Sequence, residues 1–288
     1  MWKTADVAET APLIANVSDT ARWVAAYRAI ESARRDALFS DPLADRLAGE
    51  RGRSMAAAAP WIMLNGASLI ARTVLMDRLI ATALTQGCDR VLNLAAGLDT
   101  RPYRLNLPAD LVWIEADLPD LIAEKDAALA AEKPRCALTR TAVDLSDAEA
   151  RAAFLDEALD GAAKALVVTE GLVMYLDEAA VVGLSQAIAR PEVGWWMLDI
   201  ANEAIVKGMR KNGAKMLAAA PFQFGPVNPI GFLEELGWTP VDIEDTFRAA
   251  ARMRRLPWFM RLVAMLPGAP EARNPGNKPW GGVVRLTR

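Results

Sequence analysis

The sequence predicts an α/β fold, a mostly parallel sheet with an antiparallel edge strand, and three observations predict it. From Asp89 onward, short apolar runs alternate with helix-length segments, which is the pattern of a parallel sheet wrapped by helices. The first run, Val91 to Leu94, ends in a turn of small residues, Ala95-Ala96-Gly97, that lets backbone N–H groups approach a ligand. Twenty residues after Gly97, Asp117 closes the next apolar run, where an acid would hold a ribose diol.

The elements follow in order. Residues 1 to 18 show no period and read as a mobile arm. Ser18, Asp19 and Thr20 are plausible caps for a helix over Ala21–Ser32, with Trp23, Tyr27 and Ile30 on one face. Asp41-Pro42 starts a short helix to Leu47. Gly49 to Ala59 reads as a small-residue loop, and a longer helix runs from about Trp61 to Thr85, stopped by Gly87. Residues 1–87 are therefore expected to be a helical extension packed on a domain spanning 88–288. In that domain the predicted strands are Arg90–Leu94, Leu111–Ala116, Ala137–Val143, Ala165–Thr169 and Trp195–Ile200, with helices over Leu118–Ala131, Asp147–Leu159 and Asp177–Ala189. The first crossover, Thr100 to Asp110, hardly fits a full helix. Beyond Ala201, a helical stretch and a Pro/Gly-rich segment to about 230 read as a lid insertion. A short helix over Phe232–Leu236, a strand over Val241–Asp245, a helix over Phe247–Met265 broken at Pro257, a loop from Pro267 to Gly282 and a last strand over Val283–Leu286 complete the chain.

Composition narrows the function. At 288 residues, one large α/β domain with additions or two small ones fit; 53% hydrophobic residues supply a sizeable core. A net charge of −3 gives no electrostatic reason to expect nucleic acid. Two cysteines make neither a disulfide framework nor a zinc site, and with no histidine both Ser-His-Asp catalysis and a histidine metal centre are excluded. No metal is expected. Asp6 and Glu9 speak against a signal peptide, and the apolar window from Ala56 to Ala71 is too short and too interrupted to span a bilayer. A cytoplasmic protein without a membrane or nucleic-acid partner is expected.

Each candidate site residue has a plain structural alternative. The turn after the first strand could be a tight turn without a ligand, but Asp117 at its distance favours binding. The G-x-G-x-x-G pattern is absent and the first crossover is short; both argue against a nicotinamide dinucleotide and for a cofactor without phosphate, of which S-adenosylmethionine is the common one. Glu115 and Asp117 lie two apart, so one of them closes the strand at the ligand; Asp117 is preferred, as cap of the helix opened by Leu118-Pro119. Asp144, with Leu145, is either an N-cap or lies at an adenine edge. Glu170 follows the fourth strand, where α/β sheets bind ligands, or is a satisfied turn residue. Arg72, on a largely apolar helix, either snorkels to the surface or pairs with a carboxylate such as the cofactor's. Tyr175 and Tyr27 are candidates for an acceptor pocket, with core packing as the alternative, and no catalytic residue is assigned. The arginines 248, 252, 254 and 255 read as a solvated helix face.

Several stretches resemble the leucine carboxyl methyltransferase-like family of class I S-adenosylmethionine-dependent methyltransferases. They are Thr20-Ala-Arg-Trp-Val-Ala-Ala-Tyr-Arg28, Asp36-Ala-Leu-Phe-Ser-Asp-Pro42, Leu92-Asn-Leu-Ala-Ala-Gly-Leu-Asp-Thr-Arg101, Glu115-Ala-Asp-Leu-Pro119 and Thr169-Glu-Gly-Leu-Val-Met-Tyr-Leu176. The resemblance covers roughly residues 18 to 200 and implies a Rossmann-like sheet. The bacterial branch includes O-methyltransferases assigned to secondary metabolism. By this resemblance Arg72 would bind the cofactor carboxylate, and Ala95, Ala96, Gly97 and Asp99 would pass under the methionine part. Asp117 with Leu118 would hold the ribose, Asp144 and Leu145 would lie at the adenine, and Glu170 near the amino end. Two departures stand out. The family usually has Gly where this chain has Ala95, which is tolerable at negative φ and strained otherwise. Members directed at protein phosphatase carry Lys where Ala21 stands, which weakens any claim to that substrate.

An O-methyltransferase for a small, largely apolar acid or phenol is therefore expected. A carboxylate, with a reference pKa of about 4, is already ionised at neutral pH, whereas a phenol near 10 needs a base. Without histidine, the carboxylate is favoured. The runner-up is a cofactor-binding protein that acts by interaction alone, and an NAD-dependent oxidoreductase comes third.

Overall fold

The computed structural model describes residues 17–59, 66–212, 219–266 and 270–288. The segment read as a mobile arm falls almost wholly outside these. Seven strands form one sheet in the order β3-β2-β1-β4-β5-β7-β6. They are β1 Arg90–Leu94, β2 Val112–Asp117, β3 Ala137–Ala142, β4 Ala165–Thr169, β5 Val193–Ala201, β6 Thr239–Asp245 and β7 Gly281–Thr287. The pairs β1–β2, β2–β3, β1–β4 and β4–β5 are parallel, whereas β7 pairs antiparallel with both β5 and β6. The reversal predicted for one edge is therefore present, and β6 is the outermost strand there. Pro240 sits in that outer strand beside a register irregularity, where its missing N–H costs no ladder bond in the sheet interior.

Each face of the sheet has its own core. On one side Leu92, Leu94, Val167, Trp196 and Leu198 pack with Phe154 of α6 (Ala148–Leu159), Leu184 of α7 (Glu178–Ala187) and Leu233 of α9 (Pro229–Glu235). On the other, Val91, Trp113, Val168 and Met197 meet Leu75, Met76 and Ile80 of α3 (Ala67–Thr85) and Ala249 of α10 (Thr246–Arg252). Trp195 and Trp196 thus divide between the two faces, as alternation along a strand requires. Helix α3 is part of a sheet face, while α1 (Val17–Ser32) and α2 (Ala44–Ala57) pack on each other over Leu98 and Leu121.

Several elements differ from expectation. The stretch 49–59 read as a loop is mostly the second half of α2, which turns at Gly49 with φ +58° and then resumes the helix. Its small residues are helix formers, and the glycine supplies the kink rather than an end. The helix expected from Trp61 begins at Ala67, after Gly66, in the described residues. As expected, no full helix fits in the first crossover, which holds one turn, α4 (Arg101–Arg104), and a helix, α5 (Pro119–Leu129), follows β2. The stretch 201–219 holds α8 (Glu203–Asn212), the rest of it lying largely outside the described residues. The segment after β6 divides into α10 and α11 (Trp258–Met265), with Pro257 as the N-cap of α11 and Arg254 at φ +58° in the connection. Among the described residues, no helix is long and apolar enough to cross a membrane.

Candidate functional site

A cavity of about 1340 Å³ opens over the C-terminal ends of the parallel strands, where α/β sheets take ligands. Arg72, Ala95, Ala96, Gly97, Asp99, Asp117, Leu118, Asp144, Leu145 and Glu170 all line it. The chain brings these residues together because β1, β2 and β4 end on one level and their following turns fold over the same edge.

The turn after β1 sits against the end of β2. Asp117 accepts from the Gly97 N–H at 2.7 Å through one carboxylate oxygen and from the Leu118 N–H at 2.8 Å through the other. Burial pushes its carboxyl above the ordinary carboxylate range, and those two N–H donors only partly offset this. Asp117 is not a helix cap as expected: Leu118 holds the cap position of α5, and the carboxylate bonds the turn instead. Glu115 does not reach the cavity. It is fully buried between Lys125 at 2.7 Å and Arg140 at 2.8 Å, an ion pair that joins β2, β3 and α5.

Ala95 adopts φ +53° and Gly97 φ +50°. The sequence reading has Ala95 tolerable at negative φ and strained otherwise, and the structure takes the strained branch. The turn has a left-handed residue on each side of Ala96, and an L-residue in that well costs about 1–2 kcal/mol. That cost is small enough for the surrounding contacts to hold, so the geometry is strained rather than forbidden.

Beneath the turn runs a chain of buried ion pairs. Arg101 reaches Asp77 at 2.7 Å, Asp99 at 2.8 Å and Glu170 at 2.7 Å. Arg72 bridges Glu170 at 2.9 Å and Asp199 at 2.7 Å. Asp199 also accepts from the Gly171 N–H at 2.6 Å and so fixes the turn that carries Glu170. The set continues through Arg104 on Asp77 to Asp41, which takes Arg28 at 2.8 Å and the Thr100 hydroxyl at 2.6 Å. Burial works against ionisation of Asp99, but Arg101, with Lys125, Arg104 and Arg28, holds its carboxyl well below the ordinary range. Glu170 behaves alike: burial is outweighed by Arg101 and Arg72. Arg72 is therefore buried, not snorkelling, and its Nε, though 2.9 Å from Glu170, makes no hydrogen bond among the described residues.

The remaining predicted residues divide. Asp144 is exposed to solvent and accepts from the Ser146 N–H and hydroxyl at 2.9 and 2.7 Å; the N-cap of α6 is Asp147. Tyr175 lines the cavity, stacks edge-on against Phe222 and has its hydroxyl raised above the ordinary phenol range by burial, with Thr20 as hydrogen-bond partner. Tyr27 is corrected: it lies outside the cavity lining, buried with Trp23 and Met55, and its ring fills the space beside Gly66. Sequence reasoning missed Asp199, Arg101, Asp77 and Asn93. Asp199 had a signal, since it lies near the end of a strand like Glu170. Arg101, Asp77 and Asn93, which bonds Asp99 at 2.9 Å, become visible only when the elements meet.

Comparison with known proteins agrees with this geometry. The family described as leucine carboxyl methyltransferase matches residues 21–189. A protein of Frankia alni is 31% identical over 82% of this chain and 87% of its own length, and one of Mycolicibacterium smegmatis is 32% identical over 80% and 86%. Both bear the provisional name of S-adenosyl-L-methionine-dependent methyltransferase. Two solved structures share the fold. One, from Thermobifida fusca and described provisionally as a methyltransferase, has a TM-score of 0.57 at 15% identity over 96% of both chains. The other, a DUF574 protein of Streptomyces avermitilis, has 0.56 at 16% identity over 91% of this chain and 96% of its own. With more than half of its length matched by the family and relatives above 30% identity over most of both chains, this chain belongs to the leucine carboxyl methyltransferase family of S-adenosylmethionine-dependent methyltransferases.

Proposed function

We propose that the protein methylates the carboxylate, or failing that a hydroxyl, of a small and largely apolar metabolite. The observation that carries the carboxylate reading is that the cavity's central carboxylates are locked by arginines. Asp99 and Glu170 are held below the ordinary range by Arg101 and Arg72, so neither is suited to take a proton from a phenol. Tyr175 is kept neutral by burial and is no base at pH 7. An acceptor that is already ionised needs none.

The donor set suits S-adenosylmethionine. Asp41, Asp77, Asp99, Glu170 and Asp199 are linked to Arg28, Arg72, Arg101 and Arg104, which leaves one negative charge over for a ligand of net positive charge. When bound, the cofactor supplies an electrophilic methyl on a sulfonium. In this reading Asp117 takes the ribose diol, since each of its oxygens accepts only one backbone bond. Arg72 offers its guanidinium to the cofactor carboxylate, while Glu170 and the turn from Ala95 through Asp99 flank its amino end. Leu118, Asp144 and Leu145 lie where the adenine would rest. The methyl acceptor is held on the apolar side by Tyr175 and Phe222, and alignment for in-line displacement supplies much of the rate.

The test is turnover of labelled S-adenosylmethionine over a panel of carboxylic acids and phenols, with products read by mass. Esters formed from acids, and little ether from phenols, support the reading. Preferential phenol methylation overturns the carboxylate assignment, and binding of the cofactor without any turnover favours a protein acting by interaction.

A further inference from the structure

Helix α11 is unlike the other helices of the fold. Trp258, Phe259, Leu262, Val263 and Leu266, at positions i, i+1, i+4, i+5 and i+8, make one apolar stripe, and they are 67, 51, 57, 52 and 59% exposed. A contiguous exposed stripe of this kind marks an interaction surface, because a packed helix buries it. Its other side is held by the protein: Met260 packs on the core beneath α3 and α10, and Ala264 lines the cavity. Val263 and Leu266 belong to both, so the outer stripe is continuous with the cavity mouth.

The segment that carries it is charged with one sign. Residues 246–266 contain five arginines and no acid. Arg255 is turned inward onto Glu31 at 2.7 Å. Arg248, Arg252 and Arg254 are exposed and Arg261 is half-exposed on α11 itself; Arg252 is ion-paired with Glu244 at 3.5 Å and Asp245 lies near Arg248, so Arg254 and Arg261 carry most of the free positive charge. A second copy of the chain meeting this face about a two-fold axis would bring arginines against arginines. An apolar stripe with a tryptophan, bordered by arginines, instead matches the boundary between acyl chains and anionic headgroups.

We propose that α11 and its arginine border form a docking face for an anionic bilayer surface, which sets the cavity mouth against the lipid. The expectation of no membrane partner rests on span length, and at eight residues, roughly 12 Å, α11 is far too short to span. A helix lying in the interface is under no such limit. The inference stands on the surface alone and does not require the methyl-transfer reading.

The test is flotation of the full chain with vesicles of phosphatidylcholine alone and with phosphatidylglycerol at about 30 mol%. The expected result is binding to the anionic vesicles, little to the neutral ones, and loss with rising salt. R254E/R261E, which alters one exposed and one half-exposed side chain, should lower partitioning on the order of tenfold or more, and W258S/L262S should abolish it. Binding of S-adenosylmethionine to the same variants by calorimetry reads the cofactor site separately, so a lost fold or a failed cofactor assignment is distinguished from a failed docking face. No preference for anionic vesicles, or variants that partition like the wild type, overturns the proposal. So does a dimer in sedimentation equilibrium that W258S/L262S dissolves, which would make the stripe an interface between copies.

Discussion

Arg72 and Asp199, 127 residues apart in the chain, share a 2.7 Å ion pair at the floor of the cavity. Asp199 holds the Gly171 N–H with its other oxygen, so α3, β5 and the turn after β4 are joined at one point. Removing Arg72 leaves Glu170 and Asp199 buried against each other without their shared cation. Arg72→Ala should therefore destabilise the fold by about 3–5 kcal/mol in urea denaturation. A loss below ~1 kcal/mol would mean that the pair is solvated and the network description is wrong.

Asp117 should matter more for binding than for folding. Asp117→Asn keeps the shape but loses one acceptor oxygen and sets an amide against a backbone N–H. Two hydrogen bonds from hydroxyls to a charged group are each worth about 1.5–3 kcal/mol, so S-adenosylmethionine affinity by calorimetry should fall at least ~10-fold. Unchanged affinity would refute the ribose assignment.

At Ala95 the prediction has the opposite sign. With φ at +53°, Ala95→Gly relieves about 1–2 kcal/mol of left-handed strain and loses about 0.4–1 kcal/mol through the freer unfolded chain. The variant should be equal to the wild type or more stable by up to ~1.6 kcal/mol, with cofactor binding kept. A clear destabilisation by Ala95→Gly would show that the alanine methyl makes contacts worth more than the strain.

Acid should act through Asp99 and Glu170. Both carboxyls are depressed in the folded state, from ordinary values of 3.8 and 4.5. Their contribution to stability is full above those values and is lost as pH falls through them towards the lower folded values. Asp117 opposes this, since its raised carboxyl weakens the folded state as pH rises through 3.8 to its folded value. Asp99→Asn should be less stable at neutral pH and show a shallower decline below pH ~4 in denaturation at a series of pH values.

Much of the parallel sheet was legible because its strands are short apolar runs bounded by turn residues, and the runs at Val91 and Ala165 need no partner to be recognised. Asp117 and Glu170 were legible from position, as acids at or just beyond strand ends. What sequence could not show was pairing across distance. Glu115 looks as good as Asp117 until Lys125 and Arg140 are seen to enclose it. Tyr27 and Tyr175 both read as acceptor-pocket candidates, and only the packing of the elements that carry them sends Tyr27 to a core cluster and Tyr175 to the cavity. The second half of α2 was hidden by Gly49, read as a stop where the backbone uses it to turn and continue.

The place of β7 between β5 and β6 has a consequence for how the molecule is made. Residues 281–287 fill a slot in the sheet interior, and no earlier segment occupies it. While the chain is being synthesised, β1 to β5 can assemble, but β5 then presents a row of unpaired backbone groups and β6 has no neighbour. Such an edge is a template for pairing with other chains. The window between the emergence of β5 and the arrival of β7, about eighty residues of translation later by sequence position, is when this protein is most exposed to misassembly.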